Sequence, residues 1–160
     1  MYIKQLEIDN FKSFANKVDI PMLQGFTTIS GPNGSGKSNI IDSILFALGL
    51  STSRTLRAEK LFHLISTYNK RNEAFVKVTF GETEDGDFSV ARRIRKSSQG
   101  FNSIYYLDDK IATLSDIHAK LEKYNITPNS YNVMMQGDVM SITNCTPGER
   151  RKIIDEIAGI

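Results

Sequence analysis

The chain has 160 residues, 40% of them apolar and 24% charged, which suits one globular domain with its own core and excludes a low-complexity class. Its formal net charge of +2 is too small by itself to argue for nucleic acid, and the lone cysteine, Cys145, excludes an internal disulfide and fits a reducing compartment. The opening MYIKQLEIDN lacks a signal-peptide core and no apolar run approaches the roughly 18 residues of a membrane span, so the sequence reads as cytoplasmic.

Residues 2–8 alternate apolar and polar, predicting a half-buried strand. A short strand follows around Val18 to Ile20, stopped by Pro21. Phe26 to Ser30 is β-branched and mostly apolar and predicts a buried strand. The glycines of GPNGSGKS, residues 31–38, predict a loop, after which Ile40, Ile41, Ile44, Leu45 and Leu48 recur at helical spacing up to a stop at Gly49. Residues 51–60 are polar and basic, a loop entering a short helix. Strands are predicted at Ala74 to Phe80 and Phe88 to Arg95 around an acidic turn, then a hairpin of 103–107 and 110–113 about Asp108 and Asp109. The middle third is therefore antiparallel β. Leu114 to Tyr124 predicts a helix with Ser115 as N-cap. A last helix opens with Thr146 as N-cap and Pro147 at its first position, and carries Ile153, Ile154 and Ile157 as a stripe. The sequence ends inside this pattern, which predicts continuation in a longer protein.

Gly31-Pro32-Asn33-Gly34-Ser35-Gly36-Lys37-Ser38 matches G-x-x-x-x-G-K-[ST] between an apolar run and a helical one. Such glycines let successive N–H groups face phosphate oxygens, and the following helix adds its positive end. Lys37 is then expected at the β- and γ-phosphates and the Ser38 hydroxyl on Mg²⁺. Hydrolysis also needs an apolar strand ending in an acid. The only such text, Ile153-Ile154-Asp155-Glu156, follows Arg150, Arg151 and Lys152 and reads as surface helix. The chain thus holds half of a nucleotide site.

NFKSF at 10–14, GPNGSGKSN at 31–39, LRAEK at 56–60, MQGD at 135–138 and PGERRKIIDEIAGI at 147–160 occur in that order. Together they resemble the N-terminal half of the head of a prokaryotic structural maintenance of chromosomes (SMC) ATPase. The resemblance covers essentially the whole chain. It implies an α/β P-loop NTPase, an ABC-type half-head with an antiparallel β subdomain and a mixed sheet flanked by helices. Residues 1–160 would be its N-terminal lobe, ending near the start of a coiled coil. It further implies ATP and Mg²⁺ as ligands. The C-terminal half of the same head, a second head, DNA and kleisin-type accessory subunits are the implied partners, and the location is cytoplasmic and nucleoid-associated. ATP binding would engage heads and hydrolysis separate them during chromosome condensation, segregation and DNA-loop organisation.

The resemblance assigns further residues. Gln136 matches the glutamine that contacts Mg²⁺ and the attacking water. Arg57 matches an arginine that approaches the phosphates and responds to DNA, with Arg54 a weaker neighbour. Lys12 and Ser13 match positions near the phosphates. Asn33 is a loop position open to two readings, a side chain facing the γ-phosphate or a plain turn residue, and Asn39, directly after the loop, is counted with the nucleotide-binding positions. The run Arg92, Arg93, Arg95, Lys96 reads as one solvated strand face rather than a DNA contact, and His63 and His118 receive no function. Alternatives remain: a Rad50/RecF-like DNA-repair ABC ATPase, which shares NF[KR]S and the loop, or a nucleotide-binding scaffold without turnover. A small-molecule kinase is disfavoured by the antiparallel middle third.

Overall fold

Period-two patterning produces most of the structure. The computed structural model describes residues 1–50, 61–98, 100–127 and 146–158. Its strands are β1 (Tyr2–Asp9), β2 (Val18–Pro21), β3 (Glu73–Gly81), β4 (Phe88–Ser97), β5 (Gly100–Leu107) and β6 (Lys110–Ala112), and they form one six-stranded sheet in the order β2-β1-β3-β4-β5-β6. Every described pairing is antiparallel. The helices are α1 (Lys37–Leu48), α2 (Leu114–Glu122) and α3 (Pro147–Ala158), with a short 3₁₀ turn at Leu61–Leu64.

Register places Leu6 beside Val78 and Val78 beside Val90, all fully buried. The next row runs Ile8, Val76, Arg92 and Tyr105. These inward rows are covered by α1, whose Leu45, Phe46, Ala47 and Leu48 complete the core. The other face is polar and held by ion pairs: Arg71 grips Asp9 with both guanidinium nitrogens, and Lys77 pairs with Asp109. The β5–β6 turn uses Asp108 and Asp109 at φ +49° and +62°, left-handed values that match the twist of a two-residue hairpin.

Three expectations change. Phe26–Ser30 joins no ladder, and Phe26 is 97% exposed. An apolar run becomes a strand only where a neighbouring backbone takes its N–H and C=O groups, and none of the described strands lies beside it. The parallel part of the expected mixed sheet is thus not among the described residues. Arg92 is not on a solvated face: it points inward at 6% exposure while Arg93 and Arg95 point out, because neighbours on a strand face opposite ways.

The N-cap of α2 is Thr113 rather than Ser115. The Thr113 hydroxyl accepts from the Asp116 amide at 3.2 Å and the Asp116 carboxylate accepts from the Thr113 amide at 2.8 Å. The signal was Thr-x-x-Asp, a capping box with a shorter acid. The Thr113 hydroxyl, which also donates to the Asp116 carboxylate at 2.7 Å, and then the Thr113 amide hold that carboxyl below its ordinary 3.8. A lowered value stabilises the fold above the ordinary one, and that contribution is lost as pH falls through the still lower folded value. Thr113→Ala is expected to cost about 1 kcal/mol. The amide resonances of Thr113 and Asp116 in an acid titration check the pH dependence: both should move with one midpoint below the ordinary carboxylate value. The α3 cap is as expected, with Thr146 and Glu149 bonding reciprocally.

Candidate phosphate-binding site

The loop Gly31–Ser38 carries the backbone that its glycines require. Gly34 has φ +82° and Gly36 φ +92°, left-handed values costly for any residue with a Cβ. The Ser35 amide bonds the Pro32 carbonyl at 3.3 Å and the Asn39 amide bonds the Gly36 carbonyl at 2.9 Å, so the loop turns straight into α1. Gly36 is the N-cap and provides no side-chain cap, and the first turn of α1 holds no acid. The positive end of α1 therefore opens on a hollow of about 410 Å³ lined by Asn33, Gly34, Gly36, Lys37, Ser38 and Asn39. That combination suits a multiply charged anion, so the chain's residues fit the phosphates of a nucleotide.

Lys37 folds back over the loop. Its ammonium donates to the Gly31 carbonyl at 2.7 Å and to the Pro32 carbonyl at 2.8 Å. An ammonium has three donors, so one remains for an oxygen in the hollow. Ser38 is exposed at the head of α1.

Under the loop lies the turn Asn10–Phe14. The Ser13 hydroxyl accepts from Asn39 Nδ2 at 2.8 Å, and a Cβ on Gly36 would come 2.8 Å from the same oxygen. Ser13 is thus packed against the loop. Lys12 sends its ammonium to Asp42 on α1, at 2.5 Å, where the carboxylate is fully buried. Sequence reading missed Asp42; the available signal was an acid inside the helical stretch whose neighbours pack inward.

In the last turn of α1, the Phe46 ring and, from β5, the Tyr105 ring hold Arg92 between them, each centroid 4.6 Å away. It donates to the Phe46 carbonyl at 3.3 Å and to the Ser103 hydroxyl at 2.9 Å. Burial lowers its pKa, yet no carboxylate among the described residues forms an ion pair with it. The helix-end carbonyl and two π faces take that place. His118 Nε2 lies 3.3 Å from the Gly49 carbonyl, a packing contact. No cluster of metal-ligating side chains occurs among the described residues. Arg54, Arg57 and Gln136 lie outside the described residues.

The model of the RecF/RecN/SMC N-terminal domain matches residues 2–141. A chromosome partition protein Smc from Gloeobacter violaceus is 50% identical over 163 residues, covering 100% of this chain and 14% of that protein. The chain spans 14–16% of the length of three curated relatives that it matches. A solved Smc head bound to the C-winged helix domain of ScpA is 38% identical with a TM-score of 0.89, over 100% of this chain and 52% of that one. A second structure, from work on ATP-driven dimerization and DNA-stimulated activation of SMC ATPases, is 38% identical with a TM-score of 0.84, over 98% and 99%. RecF, at 21% identity and a TM-score of 0.65 over 97% of this chain and 37% of its own, shares the fold.

Proposed function

Since the chain belongs to the RecF/RecN/SMC N-terminal domain family, we propose that it binds ATP with Mg²⁺ at Gly31–Ser38 and supplies the N-terminal lobe of an SMC-type ATPase head. The carrying observation is the uncapped, acid-free start of α1 at Gly36, with Lys37 lying over the loop. The loop amides and the α1 N-terminus hold the phosphates, and Lys37 adds a charge-assisted bond. The Ser38 hydroxyl and Gln136 hold Mg²⁺, which when bound neutralises charge on the transferring phosphoryl oxygens. Gln136 also orients water, as a non-titrating amide can. Arg57 brings a guanidinium toward the phosphates when DNA is engaged.

The activity serves chromosome organisation, in the cytoplasm and on the nucleoid. Its partners are a C-terminal head half, a second head, a kleisin-type subunit and DNA. The relatives' descriptions support this reading: one neighbour is a head bound to ScpA and another comes from ATP-driven dimerization of SMC ATPases. No described helix is long and apolar enough to cross a membrane. The RecF-like alternative has weaker support, since that likeness rests on fold at 21% identity.

The site is composite, so turnover should require a complementary half. ATP hydrolysis is expected when the chain is mixed with the C-terminal head half of a close homologue, and not with either piece alone. Phosphate release measured for the three samples decides it. Turnover by the 160-residue chain by itself would overturn the composite site.

A further inference from the structure

Three consecutive residues of the Asn10–Phe14 turn meet one face of α1. Ser13 bonds Asn39, Lys12 pairs with Asp42, and the Phe11 and Phe46 rings lie 5.1 Å apart. Positions 39, 42 and 46 are spaced three and four apart, which puts them on one helical face. The turn therefore runs antiparallel along α1, with Ser13 at the phosphate-loop end. On its other side it is fixed to the segment after the 3₁₀ turn: the Lys12 amide bonds the Leu64 carbonyl at 2.8 Å and the Ser66 amide bonds the Asn10 carbonyl at 2.9 Å. Asn10 and Lys12 both have left-handed φ values, +54° and +49°. For a lysine that is a strained backbone, and it persists where surrounding contacts over-determine it.

The middle contact needs its own explanation. Asp42 is fully buried, and the Lys12 side chain is 15% exposed. Such a pair adds little stability over an apolar pair of similar size, because both ions lose water. What it supplies is position: it joins the turn to α1 between the Ser13 and Phe11 contacts.

We propose that Asp42 is a positioning residue for nucleotide binding: by anchoring Lys12 it seats Ser13 against Gly36 and holds the phosphate loop in its anion-binding shape. This rests on the nucleotide reading above. Lys12 acts here through the turn rather than by touching phosphate.

The test uses the full chain and a fluorescent ATP analogue, mant-ATP, at a temperature where circular dichroism shows each variant folded. Asp42→Asn removes the charge that faces the Lys12 ammonium. Affinity is expected to fall about tenfold, within the range for directly contacting residues. The double variant Lys12→Met/Asp42→Leu puts an apolar pair in the same place and should recover affinity to within about threefold of the parent. Parental affinity in Asp42→Asn overturns the proposal. So does a double variant that binds as weakly as the single one, since Lys12 would then be acting on the nucleotide itself. If Asp42→Asn does not fold, the double variant decides alone. Amide exchange at Gly36–Asn39 without nucleotide gives a separate reading: faster in Asp42→Asn and parental in the double variant, or the clamp is wrong. A parent chain that exchanges in this pattern but binds no mant-ATP would sink the nucleotide reading and with it Asp42's role in binding.

Discussion

Lys37→Ala should abolish measurable nucleotide binding while leaving the fold intact. The ammonium makes two contacts, to the Gly31 and Pro32 carbonyls, and neither is buried. Removing them costs the folded state little, because water replaces exposed bonds at small net loss. The expected change in melting temperature is under about 2 °C. Binding is different. The remaining donor and the charge itself face the hollow at the start of α1, where Gly34, Gly36 and Ser38 add only neutral groups. A charge-assisted bond to phosphate, with the longer-range attraction, is worth about 2–4 kcal/mol, or on the order of 30- to 1,000-fold in affinity. Titration with mant-ATP checks this against the parent. A variant that binds within threefold of the parent would remove Lys37 from the site. A variant that also melts 10 °C lower would show that the lysine holds the loop together, and that loss of binding follows from loss of structure.

What the sequence made legible divides along a physical line. The phosphate loop could be read because its chemistry is local: glycines at set spacing, a lysine, a hydroxyl and a helix beginning immediately after. The antiparallel middle third could be read because period-two alternation and a two-residue turn at Asp108 and Asp109 are local too. Phe26–Ser30 could not. An apolar run reports that something must cover it, not what does, and no described strand pairs with it. Arg92 misled for the opposite reason. A basic run has a bland solvated meaning in sequence, and only register reveals that one member faces α1. Asp42 and Lys12 are separated by thirty residues and no pattern connects them. Their meeting depends on how the Asn10–Phe14 turn lies along α1, which is tertiary information.

The largest loss of stability is expected from Phe46→Ala. Phe46 is fully buried and joins three parts of the molecule: its ring meets Phe11 of the turn below the phosphate loop and carries the Arg92 guanidinium, and its carbonyl accepts from Arg92. Truncating a buried phenylalanine costs about 3–5 kcal/mol through lost transfer energy and the cavity left behind. Here the cavity also opens one wall of a buried cation that has no carboxylate among the described residues, so the upper half of that range applies. Arg92→Met removes the charge and keeps the bulk. It should cost about 1 kcal/mol or less, because an apolar side chain in an apolar row escapes the desolvation that the guanidinium bears. The two changes are in contact, so they should not add: in the Arg92→Met background, Phe46→Ala ought to cost at least about 1 kcal/mol less than in the parent. Urea melts of the four proteins in this cycle measure the coupling. If Phe46→Ala costs the same in both backgrounds, the ring does not support the arginine. The Phe46 loss would then belong to hydrophobic packing against Phe11 and the sheet alone.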